Sequence, residues 1–329
     1  MSDTPGRGDP SPAGGRAPRD ADRVMGPATL ARPPTGDLAL LAVAIAAICT
    51  SGPLIAACAA PALAIAFWRT ALGSGATGLW VAARRRGELR SVGARQGRRI
   101  AWAGVLLGAH FATWVPSLRF TTVASSTALV ATQPVWAALL ARRRGVRIER
   151  LAWLGIAVAL IGVLVLTGVD FAVTPRALIG DGLALAGAVL AALYVTVGEE
   201  VRATTSTATY TTICYGVAGL ALLVPIVVLR VPLVGFSLRD WGLILAITAG
   251  AQLLGHTLVN RVLATTSATV VSLAILFEMP GSTLIAAAWL GQVPPLAIVP
   301  AVVLMFVGIA LVIRTTTGPA DAPSETPPA

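Results

Sequence analysis

The sequence predicts an all-α integral membrane protein of ten transmembrane helices, arranged as two inverted five-helix repeats. Three observations carry this expectation. Hydrophobic residues make up 56% of the 329-residue chain and charged residues 12%, with a mean hydropathy of +0.79, a composition that an ordinary water-exposed surface cannot accommodate. Ten runs of about 20 apolar residues can be placed, each long enough to cross a hydrocarbon core of roughly 30 Å as a helix. The two histidines, His110 and His256, stand 146 residues apart, and the same offset pairs Gly104 with Gly250, Leu107 with Leu253, Ser126 with Ser272, Pro134 with Pro280, Gly145 with Gly291 and Gly162 with Gly308. Agreement in one ungapped register marks an internal duplication.

In chain order the runs are Leu38–Cys58, Pro61–Ala82, Ile100–Leu118, Thr122–Ala141, Ala152–Val169, Ile179–Val197, Thr209–Leu229, Trp241–Val259, Ser267–Leu290 and Leu296–Ile313. They are continuously apolar, without the alternation of a lipid-facing strand, and a helix satisfies its own backbone groups in lipid. Prolines inside runs, at Pro134, Pro225 and Pro280, are tolerated where neighbours re-satisfy the freed carbonyls; Pro134 and Pro280 are read as helix-breaking. The first run is too long for a signal-peptide core and begins late, so it is expected to be retained. Gly36-Asp37 recurs as Gly180-Asp181, which sets the repeats at 36–175 and 178–315. Asp37 and Asp181 read as caps of the first and sixth helices, and Glu199 and Glu200 as solvated charges closing the sixth. Residues 1–35 and 316–329, rich in Pro, Ala and Thr without apolar period, read as disordered cytoplasmic tails.

The net charge of +10 comes from arginines alone. They concentrate between the second and third helices, at Arg84, Arg85, Arg86, Arg90, Arg95, Arg98 and Arg99, and between the fourth and fifth, at Arg142, Arg143, Arg144, Arg147 and Arg150. The positive-inside rule makes both loops cytoplasmic, and an even number of crossings then puts both termini inside. Short loops flanked by spans are not a folded basic domain, so nucleic acid is not an expected partner. Cys49, Cys58 and Cys214 fall within spans, and no metal-type spacing or cofactor motif occurs.

Five helices per half is odd, so the second half must enter the bilayer in the opposite sense. Inverted repeats of this kind are characteristic of secondary transporters, in which two similar halves exchange roles around a central site. A membrane scaffold or receptor without flux stays open as the alternative. A membrane-embedded enzyme fits less well, because no nucleophile elbow, H-E-x-x-H pair or pair of intramembrane aspartates is present. A phosphate-binding loop for ATP-driven pumping is missing as well.

The chain resembles the drug/metabolite transporter superfamily, specifically its ten-helix EamA-type permeases. The likeness is carried by Phe67-Trp68-Arg69, the stretch Thr122-Val123-Ala124-Ser125-Ser126-Thr127-Ala128-Leu129-Val130-Ala131-Thr132-Gln133-Pro134, Gly155 and Ile161-Gly162-Val163; in the second copy by Gly180-Asp181, Phe277-Glu278-Met279-Pro280 and Val307-Gly308-Ile309. It departs from the family pattern at Leu290-Gly291-Gln292, where a glutamate commonly follows Leu-Gly, and at Met279, which separates Glu278 from Pro280. The resemblance implies export or exchange of a small metabolite, such as an amino acid or drug-like compound, against protons across the inner (plasma) membrane. Expected partners are the small-molecule substrate, the lipid bilayer and protons as coupling ion; a homodimer stays open.

Charges at membrane depth are the first candidate site residues, because Arg or Glu near a helix centre costs about 2.5 to 3.5 kcal/mol even on a lenient insertion scale. Arg69 and Glu278 qualify, either as partners of one another or each meeting a charged part of the substrate. Arg69 has no counterpart in the second half, where residues 213 to 215 are Ile213, Cys214 and Tyr215. His110 and His256 match across the repeat and titrate near neutral pH, which suits proton coupling or, equally, a neutral imidazole bonded to a neighbouring carbonyl. A second constellation of hydroxyl and amide groups comprises Ser125, Ser126, Thr127, Thr132 and Gln133 on the fourth helix, and Thr269 and Ser272 beside Glu278 on the ninth; any of these hydroxyls can also bond its own helix. Gly104, Gly108, Gly250 and Gly255 read as close-packing positions. Trp80, Trp102, Trp153, Trp241 and Trp289 read as an interfacial belt, whereas Trp114 and Trp136 lie deeper, within reach of substrate.

Overall fold

A computed structural model describes residues 34–117, 120–121, 123–167, 174–291 and 296–315, and every regular element among them is a helix. The tails beyond residues 34 and 315, together with Arg119, Thr122 and Gln292, lie outside the described residues, as do the side chains of Ser125 and Thr127. In the first half, α1 (Thr35–Ile48) and α2 (Ser51–Ala57) share the first apolar run, α3 (Ala62–Arg84) is the second, and α4 (Arg86–Ser91) lies in the first arginine-rich connection. Then come α5 (Ala94–Ser117), the pair α6 (Val123–Val130) and α7 (Gln133–Arg143), and α8 (Arg150–Thr167). The second half holds α9 (Pro175–Arg202) and α10 (Thr207–Val228), then α11 (Leu238–Ile247) continuing through a π-helical segment (Thr248–His256) into α12 (Thr257–Val262). It closes with α13 (Ala268–Ile275), α14 (Glu278–Leu290) and α15 (Ile298–Arg314).

Six helical stretches are long and apolar enough to cross a membrane: Thr35–Ile55, Ala94–Ser117, Pro175–Arg202, Thr207–Val228, Leu238–Val262 and Ala268–Trp289; Arg150–Leu166 and Ile298–Arg314 are shorter apolar helices. This is a multi-pass membrane protein. Its outer surface fits lipid: Leu220, Val224, Val227 and Val228 on α10, and Val299, Val303 and Phe306 on α15, are all exposed, which water would penalise and hydrocarbon does not. Trp80, Trp102 and Trp289 are also exposed, while Trp241 packs edge-on against Trp68.

Small residues set how closely the helices approach. A Cβ on Gly104 would lie 2.6 Å from the Cys214 carbonyl, and one on Gly108 would lie 2.9 Å from that of Ala218, so α5 packs backbone to backbone on α10. Between α8 and α15 the same holds, for a Cβ on Gly155 would meet the Gly308 carbonyl at 2.6 Å and one on Gly162 the Ala301 carbonyl at 2.8 Å. In lipid such contacts replace the hydrophobic effect as the source of helix association. The core divides accordingly. One cluster joins α1, α3, α5, α9 and α10 around Tyr210, Tyr215 and Leu222; another joins α6, α8, α13 and α15 around Ile156, Leu273 and Met305.

Three polar residues read from the sequence take other roles. Asp181 lies within α9 rather than at its start; the cap is Thr174, whose hydroxyl accepts from the Ala177 amide. The sequence reading missed it because α9 begins at Pro175, a residue favoured at the first helical position. Asp37 sits inside the first turn of α1, behind Pro34, and accepts from the Thr265 hydroxyl across the fold. Glu199 is half-buried rather than solvated, bonded to the backbone of Ala268, so it satisfies an orphan amide at the start of α13. Glu200 is exposed and pairs with Arg144 at 2.8 Å.

At the arginine-rich end, Glu88 clamps α4 to the start of α10. It accepts from the Ser206 amide at 3.2 Å and meets Arg85 at 3.5 Å. Burial works to raise the Glu88 carboxyl, but hydrogen bonds from Ser206, Thr209 and Arg85 together outweigh it and hold the group below the usual carboxylate range. A depressed folded value means that this contribution is complete above the ordinary pKa of about 4.3 and is lost as pH falls through the lower folded value. Glu88→Gln is expected to lower stability by about 1 kcal/mol at neutral pH. The gap from wild type should close on acidification; a pH series of thermal unfolding in detergent in which it stays constant would contradict the clamp.

Candidate functional site

The helices that surround Arg69 are the irregular ones. The first apolar run breaks at Cys49-Thr50 between α1 and α2, and the ninth breaks at Leu276-Phe277 between α13 and α14. The two breaks meet: the Cys49 thiol donates to the Phe277 carbonyl at 3.7 Å, and the Ser282 hydroxyl donates to the Cys49 carbonyl at 2.8 Å. The Cys49 carbonyl, whose i+4 residue is Pro53 without an N–H, is thus satisfied from the other break, as a broken helix in lipid requires. The π-helical segment lies against the same junction, with Gly250 facing Thr50 and Gly255 facing Ile48. Single π turns inside α-helices concentrate at functional sites, because the extra residue re-aims the side chains around it.

Arg69 on α3 points into this junction. Its side chain is buried, with 4% relative exposure, so it is not snorkelling to an interface. Nε donates to Gln252 Oε1 at 2.8 Å, Nη1 donates to Ser51 Oγ at 3.2 Å, and the guanidinium stands 5.3 Å from the centroid of the Phe111 ring. Nη2 is buried without a partner, and so is Nε2 of Gln252. Glu278 opens α14 and is half-buried. It is the carboxylate whose charge bears on Arg69. Among the described residues the two form no ion pair within 4.0 Å.

The structure brings the two histidines to one aromatic ring. His110 lies 5.2 Å from Phe111, and His256, closing the π-helical segment, stands edge-on to it at 6.5 Å. His110 Nδ1 bonds the Gly187 carbonyl at 2.9 Å; a carbonyl only accepts, so Nδ1 carries a proton. Trp114 stacks on the His110 ring at 5.8 Å, and its indole N–H is buried without a partner. The fourth- and ninth-helix groups form a separate contact. Gln133 Nε2 donates to Ser272 Oγ at 3.0 Å, Ser126 shares a 2.6 Å hydroxyl bond with Ser117, and Trp136 donates to Thr132 at 3.1 Å. Pro134 and Pro280 lie in the first turns of α7 and α14. Among the described residues no hydrogen bond links Gln133 or Ser272 to Arg69.

Four residues of the centre were not singled out by sequence reasoning. Gln252 had a signal, an amide in mid-span where an unpaired polar group is costly. Phe111, Ser51 and Asn260 had none. Asn260 anchors a buried hydrogen-bonded chain that leaves the centre toward the arginine-rich end. The Thr257 hydroxyl donates to the Gln252 carbonyl at 3.3 Å and lies 3.3 Å from the Tyr215 hydroxyl. The Asn260 amide donates to Tyr215 at 3.3 Å. Tyr194 donates to Asn260 Oδ1 at 2.8 Å, and Arg202 Nε to the Asn260 carbonyl at 2.8 Å. The 146-residue offset places Tyr215 opposite Arg69, Thr257 opposite Phe111 and Asn260 opposite Trp114. At these three positions the second half carries neutral side chains that bond one another, Tyr215, Thr257 and Asn260, in place of Arg69, Phe111 and Trp114. Among the described residues no group of His, Cys, Asp and Glu side chains could hold a metal ion.

The centre thus sets a buried cation beside an aromatic face where two helix breaks meet. Comparison with known proteins agrees in class. No curated relative matches by sequence. Among 29 solved chains that match, one crystal structure superposes with a TM-score of 0.71 at 20% identity, covering 84% of this chain and 96% of its own, a likeness of fold alone. The sequence model of the EamA-like transporter family matches twice, over residues 35–168 and 178–314. The chain is a membrane transporter and belongs to the EamA-like transporter family.

Proposed function

We propose that this protein is a secondary permease of the plasma (inner) membrane that exports a small metabolite, amino acid or drug-like compound by alternating access, in exchange for protons. In this reading two five-helix units, 36–175 and 178–315, cross the bilayer ten times in opposite senses, with both termini cytoplasmic. One observation carries it. The helices α8 and α15, matched by the internal offset, run antiparallel and contact each other isologously: Gly155 meets Gly308 while Gly162 meets Ala301, and the offset exchanges these two contacts. Self-complementary contact is what an approximate two-fold axis produces. The pair α3 and α10 also runs antiparallel, for Thr70 faces Gly219 whereas Ser74 faces Gly216. Broken helices beside a buried charge supply the second support, since transport sites form where backbone continuity is interrupted near the membrane midplane.

Movement between the halves must then make and break contacts such as Gln133 to Ser272, and His110, His256 and Glu278 are the titratable groups for proton coupling. The test is flux of a metabolite panel in liposomes holding the purified protein, with and without an imposed pH gradient. A Gln133→Cys/Ser272→Cys variant, made without Cys49, Cys58 and Cys214, is then bridged by a short bifunctional thiol reagent. Flux driven by the gradient and stopped by the bridge is the expected result. No flux of any compound under any gradient would leave a scaffold or receptor instead.

A further inference from the structure

We infer that the transported compound is a monoanion whose carboxylate binds Arg69, with its second oxygen taken by Gln252. This rests on the transporter reading and names the substrate class of the same site. Both hydrogen-bond partners of the guanidinium, Gln252 Oε1 and Ser51 Oγ, are neutral acceptors, so they orient the cation without compensating its charge. They occupy Nε and Nη1 and leave Nη2, the nitrogen between them, buried and unpaired. Gln252 is completely buried, with its own Nε2 unpaired as well. Since Gln252 Oε1 is bonded to Arg69, these two orphaned donors belong to adjacent groups. A buried polar group that has lost water and gained nothing is expensive, and persists where a ligand completes it. Two N–H groups on neighbouring planar heads match the two oxygens of a carboxylate.

The charge of the ligand follows from its surroundings. Arg69 supplies one positive charge and its hydrogen-bond partners are neutral, so a monoanion matches it, whereas a dianion such as a phosphate monoester would leave one negative charge uncompensated. The body of the ligand meets apolar and aromatic surface. Phe111 covers the guanidinium face, with the His110 and Trp114 rings stacked beside it. A small carboxylic acid with an apolar or aromatic body suits this lining.

The experiment compares matched pairs on purified protein in detergent and in liposomes: phenylacetate with phenylacetamide, N-acetylphenylalanine with its amide, and phenyl phosphate as the dianion. Binding is read from thermal stabilisation and from tryptophan fluorescence, and inhibition of flux is read separately. Each acid should bind roughly 100-fold more tightly than its amide, because a site built around donors rejects the analogue that cannot fill them. The preference should vanish in Arg69→Met and shrink in Gln252→Leu, both eluting as folded protein. Equal binding of acid and amide, preference for the dianion, binding of none of the acids, or a preference that survives Arg69→Met would each overturn the inference. Flux of neutral or cationic compounds alone would overturn it while leaving the transporter reading intact. Acid-selective binding without any flux would do the reverse.

Discussion

Replacing Arg69 by methionine is expected to lower flux about 100-fold or more while leaving the folded protein as stable as wild type, or more so. The two halves of this expectation come from different physics. In the proposed reading flux depends on a charged contact formed with the moving ligand, and losing one partner of a desolvated, hydrogen-bonded charge contact costs about 2 to 5 kcal/mol. Stability depends on what Arg69 contributes at rest. There it is 4% exposed, bonded to two neutral oxygens, with one nitrogen unpaired. A buried cation without a close counter-ion is a net liability, which an apolar side chain of similar length removes. Had Arg69 been half of a structural ion pair, methionine would instead strand a buried carboxylate and destabilise the fold by about 3 to 5 kcal/mol. Parallel measurement of flux and thermal unfolding separates the cases. A fall in both, with Glu278→Gln restoring stability to the double variant, would identify a structural pair and remove Arg69 from the transport site.

Gly308→Leu is expected to cost about 3 kcal/mol or more and to abolish the monodisperse folded protein. At this position the Cβ alone would lie 2.5 Å from the Gly155 carbonyl and 2.7 Å from the Ala159 amide nitrogen. Both obstacles are backbone, so no rotamer change relieves them, and overpacking of this kind ordinarily costs about 1 to 3 kcal/mol even where side chains can shift. The helices α8 and α15 must separate, and dispersion between closely approaching backbones falls steeply with distance. Gly75→Ala is the matched control, since nothing lies within 4 Å of the added methyl. Detergent extraction yield and unfolding temperature check both. Wild-type behaviour of Gly308→Leu would mean that the α8–α15 crossing does not hold the halves together.

Much of the fold was legible in the chain. Each of the ten apolar runs is helical over most of its length, because a continuous apolar stretch in lipid has no other way to satisfy its backbone. Gly104 and Gly108 were legible as packing positions and lie against α10. Less was legible of the helix ends. Asp181 reads as a cap in sequence because Asp is a strong capping residue, yet the turn closes seven residues earlier on Thr174. The site was legible only in part. A charge amid apolar residues announces itself at Arg69, whereas Phe111 looks like any other core aromatic and Ser51 like any small residue in a membrane helix.

The sequence by itself determined the class, the helical runs, the duplication, and the presence of one asymmetric buried cation, because hydropathy, spacing and identity are local properties of the chain. Only the tertiary structure decided what that cation meets. Arg69 and Gln252 are 183 residues apart, and Cys49 meets Phe277 across 228. Such contacts depend on how far each helix is rotated about its axis and where the π-helical segment shifts its register by one residue. Both are set by the packing of all the helices together, and no local pattern encodes them.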